Sequence, residues 1–111
     1  MKRKYRLRRN SDFRRVRYVG KSYASPIMVL AFLRNGLTHS RFGFVVSKQL
    51  GKAINRNKLK RRMREATRLR LSQIKSGFDI VIIGRQRINR ANFAEIERTI
   101  EYLLKKADLW L

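Results

Sequence analysis

Ten of the residues between positions 48 and 70 are lysine or arginine, and Glu65 is the single acidic residue among them. A guanidinium group can hold a phosphate with two parallel N–H donors, whereas an ammonium group acts as a point charge. Several such groups on one surface can bind a phosphate backbone and release its counterions. Asn57 lies among the cations and can donate and accept a hydrogen bond, as recognition of a base edge or ribose hydroxyl requires.

These cations must be positioned by a helix, which we expect to run from Ala53 to about Lys75. Arg56, Lys60 and Arg64 are spaced four residues apart, so they project from successive turns of one face. Like charges at this spacing repel each other, and no acidic residue is interleaved to relieve them. A charged helix face is often only solvated, but this repulsion favours an anionic partner. The adjacent stripe of Leu59, Met63, Ala66 and Arg70 predicts the buried face.

The whole chain carries a large positive charge, with 29 Lys and Arg against 7 Asp and Glu and a net charge of +22 over 111 residues. A second cluster lies in residues 1–21, where ten cations accompany Asp12. Because such a surplus repels itself, it predicts a polyanionic partner. Nucleic acid is the first candidate, an anionic membrane surface the second, and a generally basic surface without a partner the third.

Several classes of protein and site are disfavoured by composition. The chain has no cysteine, which excludes disulfides and cysteine-ligated zinc and fits a reducing compartment. No apolar stretch approaches the roughly 18 residues that span a bilayer, and no secretory signal is present. A membrane-active protein would need an exposed apolar stripe opposite the cations, whereas here the stripes must cover a sheet. We therefore expect a soluble, cytoplasmic protein.

No arrangement of side chains predicts protein-based catalysis or a metal site. His39 is the only histidine, and we interpret it as a surface turn residue. The acids Glu95, Glu97 and Glu101 lie far along the chain from the basic segments and suit capping and solvation. We therefore expect the protein alone not to cleave RNA.

The N-terminal elements are predicted from capping residues and spacing. Residues 1–9 form a basic, irregular arm. Asn10 or Ser11 is expected to cap a helix that runs to about Val19, with Gly20 as a left-handed C-terminal cap. Phe13 and Val16 share one face of this helix. Taken alone, Phe13 is more often a core residue than a platform for a base.

Strands are predicted on either side of the basic helix. The apolar run 27–33 indicates a central strand, and Asn35-Gly36 then predicts a hairpin to a return strand at about 40–47. On the return strand Phe42, Phe44 and Val46 face one way, while Arg41, Gly43, Val45 and Ser47 face the other. Lys21–Ala24 is a candidate edge strand.

After Gly77, which ends the basic helix, residues 78–83 predict another apolar strand. Asn92, with Glu95 three residues later, predicts the capped start of a last helix reaching about Ala107. Its apolar face comprises Phe93, Ile96, Ile100, Leu103 and Leu104. The order predicts one α+β domain over 1–111, a two-layer sandwich in which a small, mainly antiparallel sheet packs with three helices. The strand–helix–strand unit at 40–84 could make a parallel pair, for which right-handed crossover is the default.

The ordered set of residues around the basic helix resembles a known family, the bacterial ribonuclease P proteins. The central motif comprises Val46-Ser47-Lys48, Gly51-Lys52-Ala53, Arg56-Asn57, Lys60-Arg61 and Arg64-Glu65. The resemblance extends to Arg6-Leu7, Asp12-Phe13, Val16, Gly20 and Phe42-Gly43-Phe44, and so covers nearly the whole chain.

The resemblance implies a protein subunit of an endonuclease, the hydrolase ribonuclease P, which removes the 5′ leader of precursor tRNA during tRNA processing. In that ribonucleoprotein the RNA subunit is the catalyst, and Mg²⁺ is held mainly by RNA and substrate. The partners implied are the ribonuclease P RNA and precursor tRNA, without a membrane and without a required protein oligomer. The resemblance also implies a left-handed strand–helix–strand crossover. A ribosomal protein would share the size and charge but would sediment with ribosomes.

The family's site residues can be placed by position in this chain. Those expected to bind the catalytic RNA are Lys48, Arg56, Asn57, Lys60, Arg61 and Arg64. Those expected to bind the leader, in a cleft between the first helix and the sheet, are Phe13, Arg17, Tyr18 and Phe32. Arg17 stands where relatives often have a second aromatic residue, and an arginine can also stack on a base. Ala31, with Phe32 beside it, stands where relatives often have an aromatic residue on the first strand.

Overall fold

The structure is a computed structural model that describes all residues from Met1 to Leu111. Its helices are α1 (Asn10–Val19), α2 (Ala53–Arg68) and α3 (Phe93–Lys106). Its strands are β1 (Lys21–Ala24), β2 (Met28–Arg34), β3 (Arg41–Val46) and β4 (Phe78–Gly84). The sheet order is β1-β2-β4-β3, with β3 and β4 parallel and the other pairs antiparallel. The predicted α+β class, the mainly antiparallel sheet and the edge strand β1 are confirmed.

The predicted β2–β3 hairpin is wrong, because β4 lies between these two strands. The turn at Asn35-Gly36 does form, with Gly36 at φ +72° and the Asn35 side chain accepting the Leu37 N–H at 2.8 Å. Turn residues predict where the chain reverses, but they do not determine which strand becomes the neighbour. Apart from Asp79, β4 is apolar on both faces and almost fully buried, as suits a strand in the middle of the sheet.

The crossover from β3 through α2 to β4 is left-handed. The carbonyl of Phe42 accepts the Leu7 N–H at 2.8 Å, so the peptide groups of Phe42 point away from β4. The Phe42 side chain lies on the α2 side, in the core with Leu59 and Met63. In an L-residue, the direction of the side chain and that of the peptide groups together determine on which side the neighbouring strand lies. Seen from α2 with β3 running upward, β4 therefore lies to the left of β3, whereas a right-handed crossover would place it to the right. The right-handed default is therefore wrong, and the hand implied by the resemblance is correct.

Helices cover both faces of the sheet. The larger core packs α2 and α3 on one face around buried residues such as Leu30, Met63, Ile82 and Ile100. A smaller cluster on the other face joins α1 to the sheet through Leu7, Val16, Ala31 and Val81. The predicted two-layer sandwich describes α2, α3 and the sheet, and α1 adds a partial third layer.

Two predicted caps of α1 are wrong. The residue before the helix is Arg9, which makes no side-chain cap, and Asn10 and Ser11 lie inside the first turn. Gly20 has φ −74° and ψ 175°, which is extended rather than left-handed. Its need for glycine is steric, because a Cβ there would collide with the backbone carbonyls of Val16 and Phe32.

Helix α2 ends at Arg68, earlier than the predicted Lys75, and a 3-10 turn follows at Leu71–Gln73. Arg70 therefore lies beyond the helix, where its guanidinium donates to the Ala66 carbonyl and to Glu97, both at 3.0 Å. The predicted cap of α3 is confirmed, since the Asn92 side chain accepts the Glu95 N–H at 2.8 Å.

The N-terminal arm is ordered, which corrects the prediction of an irregular segment. Arg3–Tyr5 form a 3-10 turn, and Arg6 then pairs in parallel with Phe42 at the free edge of β3. Leu7 is buried against α1. The apolar Leu7, placed between Arg6 and Arg8, fixes the arm on the sheet.

Candidate nucleic-acid interface

The predicted cations of α2 lie together on its outer face. Leu59 and Met63 face the core, which turns the residues one and two positions away toward solvent. Asn57 and Arg61 are exposed, while Arg56, Lys60 and Arg64 are partly buried. One surface hollow is lined by Ile54, Asn57, Lys60, Arg61 and Arg64. Lys48 is exposed in the 3-10 turn Lys48–Leu50 that precedes α2.

Two arginines on this face have a buried polar atom without a partner. The Nε atoms of Arg56 and Arg64 are both buried, and neither makes a hydrogen bond. Leaving a buried donor unsatisfied costs about 1–3 kcal/mol, so the pair favours a bound acceptor. Burial, together with the nearby charge of Arg6, lowers the pKa of Arg64. Its guanidinium also lies 5.7 Å from the centre of the Phe44 ring.

The only acid of α2 does not neutralise this face. Glu65 accepts two hydrogen bonds from Arg68, with Nε at 2.9 Å and Nη2 at 2.5 Å. The hydrogen bonds from Arg68 lower the pKa of Glu65. Glu65 is thus engaged by Arg68, and the side chains of Arg56, Lys60, Arg61 and Arg64 form no ion pair.

The glycine of the central motif sets where α2 begins. Gly51 adopts φ +119°, a conformation that side chains rarely adopt. The Asn55 side chain lies close beside it and donates to the Leu50 carbonyl at 2.8 Å and to Asn89 Oδ1 at 2.9 Å. These bonds fix the first turn of α2, and with it the position of Arg56.

Helix α1 crosses the opposite face of the sheet above three rows of side chains. The Phe13 ring lies directly on Gly43, where a Cβ would come within 2.5 Å of the ring carbon Cζ. Gly43 belongs to the middle row, which α1 covers. The rows are Ala31, Val81 and Gly43 in the middle; Leu33, Asp79 and Arg41 at one end; and Val29, Ile83 and Val45 at the other.

The row Val29, Ile83 and Val45 forms an apolar floor beside α1. All three side chains remain partly exposed. Arg15 contacts Asp79 in the opposite row, and at about 100° per residue Arg17 must lie on the other flank of α1, towards this floor. Phe13, Arg17 and the three apolar side chains thus border one cleft between α1 and the sheet.

Two residues predicted for the leader cleft lie elsewhere. Phe32 is on the face of the sheet that packs against the larger core, where it stacks on Tyr23 with ring centres 6.2 Å apart. Side chains alternate along a strand, so it is Ala31 that faces α1. Tyr18 is 84% exposed and points away from the sheet. Phe32 and Tyr18 therefore do not line the cleft with Phe13.

Sequence reasoning missed the buried carboxylate of Asp79. This side chain is fully buried and accepts hydrogen bonds from Arg41, from Asn35 at 2.9 Å and from Arg15 at 3.3 Å. Burial alone would raise the pKa of Asp79, but the hydrogen bonds and the charges of Arg41 and Arg15 outweigh it and hold the pKa below its usual value. The signal in the sequence was an acid between Phe78 and Ile80 in an otherwise apolar strand.

Comparison with known proteins assigns the family. Residues 1–108 match the family Ribonuclease P. The chain is 41% identical over 104 residues to the "Ribonuclease P protein component" of Alkaliphilus oremlandii, which covers 94% of this chain and 91% of that protein. The chain belongs to the ribonuclease P protein family. It is therefore a protein subunit of ribonuclease P, an endoribonuclease complex, with a role in tRNA 5′ processing and an RNA partner in the holoenzyme.

Solved structures of ribonuclease P proteins share the fold. The Staphylococcus aureus protein superposes with a TM-score of 0.88 at 36% identity, covering 96% of this chain and 98% of that one. The Thermotoga maritima protein gives 0.84 at 40% identity, covering 91% of this chain and 96% of that one. No helix of the structure has the length and apolar character needed to cross a membrane.

Proposed function

We propose that this ribonuclease P subunit has two RNA-binding surfaces on opposite faces of its sheet. The outer face of α2, with Lys48, binds the catalytic RNA. The cleft beside α1, bordered by Phe13 and Arg17, binds the 5′ leader of precursor tRNA. Because α1 and α2 cover different faces, the protein can hold the two RNAs at the same time.

The observation that carries the proposal is the pair of buried, unpartnered Nε atoms on Arg56 and Arg64. An arginine normally gains protein acceptors when its Nε is buried. Phosphate oxygens accept short, charge-assisted hydrogen bonds from guanidinium groups, so both side chains would gain acceptors by turning outward to a bound RNA. The two residues are eight positions apart, so a rigid helix holds both donors in a fixed register for a structured RNA.

The leader cleft is suited to a single strand. Its floor of Val29, Ile83 and Val45 is apolar, and Phe13 and Arg17 can each stack on a base. Stacking is tolerant of sequence, as a subunit that processes many different leaders requires. Lys48 follows β3 at the same end of the sheet as this floor and can contact leader phosphates there as well as the catalytic RNA.

We assign the chemistry of cleavage to the RNA subunit. The side chains on both surfaces are cations, amides and apolar groups, which can hold phosphates and bases. In this proposal Mg²⁺ is held by the catalytic RNA and the substrate, and the protein offsets part of the phosphate repulsion that Mg²⁺ otherwise screens. The reaction belongs to the cytoplasm, where precursor tRNA is made.

A reconstitution experiment tests the proposal. Cleavage of a precursor tRNA by a bacterial ribonuclease P RNA is measured across a magnesium titration, with and without the protein. We expect the protein to lower the magnesium concentration at half-maximal rate and to favour binding of precursor over mature tRNA. An unchanged magnesium requirement, together with equal affinity for the two tRNAs, would contradict the proposal.

A further inference from the structure

A second strongly basic surface lies on the other flank of α1, away from the leader cleft. It is a groove of about 600 Å³ between the N-terminal arm, the first turn of α1 and the turn after β2. Its lining includes five cations of the arm: Arg3, Lys4, Arg6, Arg8 and Arg9. Arg41 closes the groove from the sheet, at the Asp79 end of the α1 face.

The charge of this groove is not neutralised within the protein. None of the five arm cations takes part in an ion pair. The one acid in the lining, Asp12, lies 3.8 Å from Arg41. Arg41 itself is engaged by Asp79, 2.7 Å from its Nη2 atom. The unpaired cations around this groove therefore favour the binding of an anionic ligand.

The groove is also held in shape before any ligand binds. The arm is fixed by burial of Leu7 and by its backbone bond to Phe42. Tyr5 packs edge-on against His39 of the facing turn, with ring centres 5.8 Å apart. A ligand would not have to order the arm, so little of the binding energy would be lost to ordering.

The location of the groove indicates which RNA it meets. Helix α1 separates it from the leader cleft. Arg6, however, lines the groove and pairs with Phe42 on the edge of β3, while Arg64 of α2 lies over Phe44 two residues further along that strand. Around this edge the cations of the groove are therefore continuous with those of α2.

We propose that the arm groove binds the phosphodiester backbone of the catalytic RNA, as a second contact separate from the face of α2. This inference rests on the proposed function of α2, since it assigns the same RNA to both surfaces. The RNA would pass around the free edge of β3, contacting α2 on one face of the sheet and the arm on the other.

Binding measurements test the groove with a matched control. Arg8→Ala/Arg9→Ala removes two groove charges, and neither side chain makes a hydrogen bond within the protein. Arg98→Ala/Lys106→Ala removes two charges from α3, outside both surfaces. The affinity for the catalytic RNA falls as salt rises, and the slope of log affinity against log salt is negative. Loss of two phosphate contacts should make this slope shallower by about two. We expect this from the groove variant and not from the control.

A tethered probe then locates the strand. Because the chain has no cysteine, an iron chelate can be attached at one position through Arg9→Cys, Asn57→Cys or Arg98→Cys in the assembled holoenzyme. We expect the probe at position 9 to cut the catalytic RNA at nucleotides different from those cut from position 57. Cuts confined to precursor tRNA, or no more cutting than from position 98, would overturn the groove proposal.

The two proposals fail in different ways. If the Arg8→Ala/Arg9→Ala variant binds the catalytic RNA like its control while Arg56→Ala/Arg64→Ala binds weakly, the proposed RNA contact of the groove is contradicted. The proposed RNA contact of α2 is then retained. If neither pair of substitutions weakens binding, the proposed function of α2 and the groove fall together.

Discussion

Arg41 and Asp79 form a two-point ion pair between the parallel strands β3 and β4, with Nε 2.9 Å from Oδ1 and Nη2 2.7 Å from Oδ2. The same carboxylate accepts from Asn35 in the turn after β2 and from Arg15 in α1. One buried acid thus joins the first helix, the turn and two strands. Through Arg15 it also links α1 to the sheet, beside the apolar contacts of Val16.

The first prediction concerns stability and pH. The pKa of Asp79 is depressed in the folded protein, so its ionised form stabilises the fold above the ordinary carboxyl pKa of about 3.9. That contribution should be lost as the pH falls below about 4 and through the depressed pKa. Asp79→Asn should remove this part of the acid dependence, measured as the free energy of unfolding by urea between pH 3 and 7.

Arg41→Ala provides the complementary test. It leaves Asp79 buried without its main partner, which should cost about 3–5 kcal/mol at neutral pH. If Arg41→Ala unfolds at the same urea concentration as the natural sequence, the ion pair between β3 and β4 does not stabilise the fold.

The second prediction concerns Arg56 and Arg64. Replacing both with alanine should weaken binding to the catalytic RNA about tenfold or more, because the proposed contacts are charge-assisted bonds from each guanidinium to phosphate. The core residues Leu59 and Met63 are untouched, and removal of two unsatisfied buried donors offsets the loss of the Arg64 contact with Phe44, so the melting temperature should change little. Gel-shift affinities and thermal melts measure the two effects, with Arg98→Ala/Lys106→Ala as the control of equal charge. Normal affinity in the double variant would exclude α2 as the interface.

The third prediction separates two aromatic residues of α1. Phe13→Ala should weaken binding of precursor tRNA by up to about 1–3 kcal/mol, the value of a stacked base, and leave mature tRNA unaffected. Tyr18→Ala, on the outer side of the same helix, should change neither. Since Phe13 also packs on Gly43, melting temperatures must accompany the affinities. Equal losses for precursor and mature tRNA in a well-folded Phe13→Ala protein would exclude the leader cleft at this position.

The fourth prediction concerns Gly20, where α1 passes into β1. In Gly20→Ala the new methyl group would collide with the backbone carbonyls of Val16 and Phe32. Backbone atoms cannot rotate away as a side chain can, so the end of α1 must shift, at a cost of about 1–3 kcal/mol. Gly36→Ala is a useful comparison, because a Cβ at Gly36 meets no atom within 4 Å and only its φ of +72° is unfavourable. Chemical denaturation of both variants tests this, and a smaller loss at position 20 than at position 36 would contradict it.

Much of this architecture could be predicted because it follows from local pattern. Alternation placed Phe42, Phe44 and Val46 on one face, and helical spacing separated Leu59 and Met63 from the basic face. The Asn92 cap follows from two residues three positions apart. In each case the neighbours in sequence determine the structure.

What could not be predicted depends on contacts between distant segments. Asn35-Gly36 indicated a reversal, but the insertion of β4 depends on residues more than 40 positions later. Phe32 and Ala31 were adjacent candidates, and only the position of α1 shows which one faces it. Asp79 could be recognised as an anchor only once Arg15, Asn35 and Arg41 had been brought to it.

The strand order also constrains when this chain can fold during its own synthesis. The last strand to leave the ribosome, Phe78–Gly84, is the one that joins β2 to β3. Until it emerges, both earlier strands present an open edge, and β3 lacks its sheet partner. Such non-local pairing slows folding and leaves edges open to aggregation. A nascent chain released before residue 78 should therefore be handled by the cell as an unfolded protein.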